Sequence, residues 1–120
     1  MTTASAPRPD EDESPGEVVR VWRAATTPER VAHYRNHLRT QVEPALLALD
    51  GFIGLSLLTR PLDALVEIVV MTRWRSIAAI AAFAGLDLDV AVVEPAARAV
   101  LTEHDTIARH FVVAYERAND

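Results

Sequence analysis

The amino-acid sequence predicts an α+β domain in which a four-stranded antiparallel sheet carries its helices on one face. Three observations lead there. The hydrophobic pattern alternates between strand-like and helix-like stretches in the order β-α-β-β-α-(α)-β. Half of the 120 residues are apolar, which supplies one sizeable core, and the chain is too short for two ordinary domains. Helix start and stop signals also fall at the joints between these stretches.

Residues 1–16 hold Ala, Thr, Ser, three Pro and the acidic run Asp10, Glu11, Asp12 and Glu13, with nothing aliphatic larger than Ala after Met1. Such a segment buries too little apolar surface to offset its ordering entropy and is expected to be a disordered acidic tail. The domain proper is expected over residues 17–116, with a short C-terminal tail at 117–120. Residues 17–25 place Val18, Val19, Val21 and Trp22 on both sides of a period-two run, the mark of a strand covered on each face. Thr26, Thr27, Pro28 and Glu29 then combine a capping hydroxyl, a proline at the first helical position and a first-turn acid. The helix they open carries Val31, Tyr34, Leu38, Val42, Ala45 and Leu49 at three- and four-residue steps and stops at Asp50 and Gly51. Pro44 is expected to bend it or break its last turn.

Residues 52–60 read as the second strand, Pro61, Leu62 and Asp63 as a turn, and residues 64–74 as the most apolar strand. Ser76 caps a short helix over 77–84 that packs through Ile77, Ile80 and Phe83 and closes on Gly85. Residues 86–93 show no clear periodicity. Pro95 opens a further helix to about Thr102 with Ala96, Ala99 and Val100 inward, and residues 105–116 form a last strand. In that strand His110, Val112 and Ala114 face one way, and Arg109, Phe111, Val113 and Tyr115 the other. This order is the split βαβ arrangement of a ferredoxin-like domain. Because the strands are apolar on both faces while the helices cover one, a second copy of the chain is the expected cover for the other, which predicts a homodimer.

Composition removes whole classes of chemistry. Cysteine is absent, so disulfides, thiolate nucleophiles, iron–sulfur clusters and cysteine zinc sites are excluded. All twelve basic residues are Arg, so no lysine can form a Schiff base with a carbonyl or with pyridoxal phosphate. A net charge of −5 without a basic stripe argues against nucleic acid as a partner. No apolar run reaches the roughly 18 residues of a membrane helix, and the N-terminus lacks a signal-peptide layout, so a cytoplasmic protein is expected. Ser56 lacks the strand-to-helix elbow of a serine hydrolase, and Asp87 and Asp89 read as a solvated loop.

The third strand ends Met71, Thr72, Arg73, Trp74. The short helix ends Phe83, Ala84, Gly85, followed by Ala91, Val92, Val93, Glu94, Pro95 and, in the closing strand, His110 and Phe111. In order and spacing this series resembles the antibiotic biosynthesis monooxygenase family, over about residues 17–116. The resemblance implies a homodimeric α+β barrel with a pocket in each subunit between helices and sheet. It also implies oxygenation of a bulky apolar, aromatic, polyketide-like substrate without flavin or metal, with molecular oxygen as co-substrate. A non-catalytic small-molecule-binding or accessory domain of the same fold, and a haem-binding or haem-degrading relative, are the alternatives.

The candidate catalytic residues are His110 and Trp74. Oxygenation without a cofactor needs a substrate that itself reduces oxygen, which a phenolate or enolate does and a neutral phenol does poorly; His110 is the candidate base. Trp74 is the candidate orienting residue, stacking on an aromatic substrate. A buried, satisfied histidine and a core tryptophan are the competing readings. Tyr34, His37, Phe83 and Arg73 are the candidate substrate-binding residues. His33 and His37 share a helix face without a third ligand, so no metal site is expected, and His104 falls in a polar loop.

Overall fold

The computed structural model describes residues 17–119; the expected acidic tail at residues 1–16 lies outside them. Strand β1 (Val18–Thr26) runs through the middle of the sheet, paired antiparallel with β3 (Leu65–Trp74), which in turn pairs with β2 (Phe52–Leu62). On its other side β1 meets two short strands, β4 (Glu103–His104) and β5 (Arg109–Val112). The order β2-β3-β1-β4/β5 is that of the ferredoxin-like fold. Pro61 is tolerated because β2 is an edge strand. The strand runs on through it to a two-residue turn at Asp63 and Ala64, where Asp63 takes φ 53°.

Period two sorts the side chains. Val18, Arg20, Trp22 and Ala24 of β1 lie opposite Trp74, Thr72, Val70 and Ile68 of β3 and share the helix-covered face. A bulge at Ile53 lets both Phe52 and Leu55 point to this same side. One buried cluster gathers Ala24, Tyr34, Leu38, Ile68 and Ala97, the other Val18, Leu46, Trp74 and Ile80. The opposite face presents Val19, Val21, Val69, Met71, Leu58 and Phe111. Arg23, Glu67 and Arg60 form an ion-paired group at one end of it, and Arg73, Glu17 and Glu116 another at the other end.

The long helical stretch is a 3₁₀ turn (Pro28–Arg30), α1 (Val31–His37), a π turn (Leu38–Val42) and α2 (Glu43–Leu47). Pro44 explains the break: it has no N–H for the carbonyl of Thr40, and its ring crowds that carbonyl, so the turn before it widens and the Glu43 N–H reaches back five residues to Leu38. The inserted residue shifts the inward row, so Leu46 is buried and Ala45 exposed, contrary to the simple helical stripe. Thr27 makes no side-chain cap. Helix α3 (Ile77–Ala84) begins and ends as the sequence indicates, with Ser76 accepting from the Ala79 N–H at 3.2 Å and Gly85 at φ 84°, although Ile77 is exposed.

The C-terminal third departs most. Helix α4 is a single turn (Pro95–Arg98) that buries Ala97, while Ala96 and Ala99 face outward. The last strand is split, because Asp105 still donates to the Arg23 carbonyl of β1 whereas residues 106–108 turn away to bond the segment after α3. Ala91 donates to the Thr106 carbonyl at 3.0 Å, Ala108 to that of Asp89 at 2.9 Å, and Val90 bridges to Ile107. Residues 113–119 have no regular structure. No helix of the described residues is long and apolar enough to cross a membrane.

Candidate functional site

Between the helices and the covered face of the sheet lies a cavity of about 60 Å³. Since one water needs roughly 10–15 Å³ on this scale, several fit. Its floor is the central sheet, from which Arg20, Trp22, Val70 and Thr72 project. Tyr34, His37, Leu38 and Val42 come from the long helix, Phe83 from α3, and Val92, Val93, Glu94 and Ala97 close the remaining side. Val92 and Glu94 are the exposed members, so the mouth opens beside them. The wall is mostly aliphatic and aromatic, with a few polar groups, the composition of a small-molecule site.

Most of those polar groups are anchored. His37, buried on α1, places Nε2 3.4 Å from a Glu94 carboxylate oxygen, linking helix to mouth. Burial, and then the charge of Glu94, pushes the Tyr34 phenol well above its ordinary range, so it stays a neutral hydroxyl. The Trp22 indole stands 6.4 Å from the Tyr34 ring, and its N–H donates to the Asp105 carbonyl at 2.8 Å. Arg20 is 4% exposed. Its Nη1 donates to the Leu88 carbonyl at 2.6 Å and to His110 Nε2 at 2.9 Å, and its Nη2 to the Val90 carbonyl at 3.1 Å.

Tyr34, His37 and Phe83 therefore sit in the cavity wall, where helix periodicity on α1 and α3 points them. Trp74 and His110 each stand one side chain behind it. Trp74 is fully buried, packed between Phe52 and Phe83, and its indole N–H donates to the Thr72 hydroxyl at 2.9 Å; Thr72 is the wall residue. His110 faces the covered side, not the open one, but borders a separate shallow depression with Asp89 and Ile107 and meets the cavity through Arg20. An arginine always donates, so His110 Nε2 is the acceptor and its proton lies on Nδ1, 3.5 Å from Asp89. Burial and then the Arg20 charge hold the His110 imidazole below its ordinary value, with Asp89 opposing them. Arg73 lies on the opposite sheet face, bonded to Glu17 and Glu116, away from the cavity. Glu67, on the same face, is held by Arg23 and Arg60. His33 is exposed, and among the described residues no three His, Asp or Glu side chains converge as metal ligands.

Arg20, Thr72 and Glu94 were not singled out from the sequence. The parity of β1 already places Arg20 in the row of Val18 and Trp22, and Thr72 lies two residues before Trp74 on the same face.

Comparison with known proteins adds to this geometry. The family model described as antibiotic biosynthesis monooxygenase matches residues 17–94. No curated protein matches the chain. Among solved structures, a Bacillus cereus protein assigned to antibiotic biosynthesis monooxygenases superimposes with a TM-score of 0.65 at 16% identity, covering 88% of this chain and 98% of its own. A Chloroflexus aurantiacus protein with the same assignment gives 0.55 at 14% identity, covering 85% and 97%. SnoaB of Streptomyces nogalater, described as a cofactor-independent oxygenase, gives 0.53 at 18% identity, covering 86% and 96%.

Proposed function

Because the chain belongs to the antibiotic biosynthesis monooxygenase family, we propose that it is a cofactor-independent monooxygenase that acts in the cytoplasm, as a homodimer, on a bulky apolar aromatic substrate with molecular oxygen. The observation that carries this reading is the cavity, an apolar and aromatic chamber with a histidine–carboxylate pair in its wall. A multi-ring substrate enters by one ring, with the remainder in the mouth beside Val92 and Glu94.

The reaction requires an electron-rich anion of the substrate. For an anthrone, loss of a proton gives an enolate that reduces oxygen and combines with it. The ring CH₂ becomes a carbonyl, and both of its hydrogens leave with the second oxygen atom as water. His37 is the imidazole nearest such a substrate, and Glu94 stabilises the imidazolium formed when it takes the proton. His110, whose Nε2 lone pair is occupied by Arg20, acts on the substrate by holding that guanidinium. The resemblance to SnoaB, an oxygenase that works without a cofactor, supports the same chemistry.

Oxygen uptake with an anthrone tests the proposal. The wild type exceeds the uncatalysed rate, His37→Ala lowers the rate by about 10²–10⁴-fold, and His110→Ala lowers it less. A wild-type rate equal to that of buffer refutes the reading. A second reading, a binding or accessory domain without catalysis, draws on the placement of Trp74 and His110 behind the wall. Ligand binding with no oxygen uptake would favour it.

A further inference from the structure

Strand β1 alternates strictly, and that alternation drives one charged residue into the covered face of the sheet: Arg20, between Val18 and Trp22. A buried charge is tolerated when it is paired. A lysine could shed its proton there, whereas an arginine keeps its charge at any working pH. The partners of Arg20 are all neutral. Two are backbone carbonyls, of Leu88 and Val90, and the third is an imidazole nitrogen that must be unprotonated to accept. Among the described residues no carboxylate forms a direct ion pair with the guanidinium; Asp89 stands on the far side of the His110 ring. The Phe83 ring lies 5.8 Å from its central carbon and offers only a partial counter-charge. Nε has no hydrogen-bond partner among the described residues, and Nη2 spends one of its two hydrogens. Arg20 is also part of the cavity wall. The chamber is thus largely apolar, with one positively charged residue in its wall that keeps donors unused.

We infer that Arg20 is the specificity-determining residue of this cavity, and that the ligand it selects is an aromatic molecule with one anionic oxygen, as a carboxylate or a phenolate, held against the guanidinium. This deepens the reading given above and rests on it only for the cavity being a ligand site. The charge of Asp89 acts on Arg20 only at a distance, without a direct ion pair, and the anion supplies the contact counter-charge. The aromatic body fills the space between Trp22, Tyr34 and Phe83. For a phenol or enol, the guanidinium favours the ionised form, which is the form that reduces oxygen. His110 and Asp89 are positioning residues: Asp89 orients the ring, and the ring's Nε2 fixes the Nη1 end of the fork so that the remaining donors face the chamber.

Binding without turnover tests this, under nitrogen, with 2-naphthoate, its neutral isostere 2-naphthamide and 4-nitrophenol, followed by calorimetry and by quenching of tryptophan fluorescence. The wild type binds 2-naphthoate roughly tenfold or more tighter than 2-naphthamide, as expected for one charge-assisted bidentate contact. Arg20→Gln abolishes that preference and Arg20→Lys retains part of it. Bound 4-nitrophenol ionises at lower pH than free 4-nitrophenol, seen as its yellow absorbance, and its affinity relative to 2-naphthoate distinguishes phenolate from carboxylate as the preferred source of the oxygen. Equal affinity of the wild type for the naphthoate and the naphthamide overturns the inference and leaves the cavity reading standing, and this comparison needs no variant to fold. A preference that survives in Arg20→Gln overturns it as well. Failure of all three probes to bind removes both the inference and the cavity reading.

Discussion

Replacing Thr72 by Val isolates one buried hydrogen bond at the back of the cavity. The two side chains have nearly the same shape, so the principal change is loss of the hydroxyl that accepts the Trp74 indole N–H at 2.9 Å. Trp74 is fully buried and Thr72 is 5% exposed, so no water replaces the lost acceptor without rearrangement. An orphaned buried donor costs about 1–3 kcal/mol, and the methyl that replaces the hydroxyl returns less than about 1 kcal/mol. A net destabilisation of about 1–2 kcal/mol follows, equivalent to a fall in Tm of roughly 5–15 °C for a domain of this size. The assay is urea unfolding followed by circular dichroism, at one fixed protein concentration because any dimer makes stability concentration-dependent. The decisive comparison is a double-mutant cycle. Trp74→Phe removes the indole N–H, so in that background Thr72→Val orphans nothing and is close to neutral, giving a coupling energy of about 1–2 kcal/mol. If Thr72→Val costs the same in both backgrounds, the hydroxyl is not the acceptor of Trp74, and the route by which Trp74 meets the cavity is wrong.

Three further outcomes are expected. Gly51→Ala destabilises by about 1–3 kcal/mol in thermal unfolding, because Gly51 has φ 91° and a Cβ there would come within 2.6 Å of the Ala79 Cβ; a neutral result would place the start of β2 elsewhere relative to α3. His110 is held neutral in the fold, so its contribution to stability is full above its unfolded pKa of about 6.5 and is lost as pH falls from there toward the lower folded value. Proton NMR of its ring should titrate below the ordinary histidine value and move upward in Arg20→Gln, and an unshifted titration in the wild type contradicts the Arg20 contact. The open sheet face should bury itself against a second copy, so light scattering is expected to give a dimer for the wild type and a monomer for Met71→Asp; a wild-type monomer at every concentration would show that Val21, Val69, Met71 and Phe111 remain uncovered.

Much of the fold was legible because its elements are locally encoded. Ser76 and Gly85 delimit α3 through a cap and a left-handed terminus, both short-range effects, and period two located β1 and β3 to within a residue. The long helix was legible in extent but not in phase. Pro44 was expected to bend or break its last turn, whereas the physical consequence lies at the carbonyl of Thr40 and the turn before it, which rotates Leu46 inward in place of Ala45. The last strand misled because alternation continues through residues 105–116 although the backbone partners change. Nothing local in Thr106, Ile107 or Ala108 says that Ala91 and Asp89 will compete with β1 for their hydrogen bonds. Tyr34, His37 and Phe83 were found by helix face, whereas Arg20 was passed over because β1 was read only through its apolar residues Val18, Val19, Val21 and Trp22.

The segment without periodicity, residues 86–93, proves to be the one that the site organises. It has no apolar stripe to dock it, and its shape is imposed by groups on other elements. Arg20 takes the carbonyls of Leu88 and Val90, the Thr106 carbonyl takes the Ala91 N–H, the Ala108 N–H takes the carbonyl of Asp89, and the Asp89 side chain faces His110. Just beyond it, Glu94 is tied to His37. The wall that completes the cavity at Val92 and Val93 is thus held by the same buried arginine that lines the cavity and keeps donors unused. A ligand anion at those donors would meet a guanidinium already fixed by three bonds, so little ordering entropy remains to be lost when it binds. This also accounts for an arginine here where lysine would satisfy charge alone. A single ammonium cannot span two carbonyls, an imidazole and a ligand oxygen in fixed directions, whereas the planar fork can.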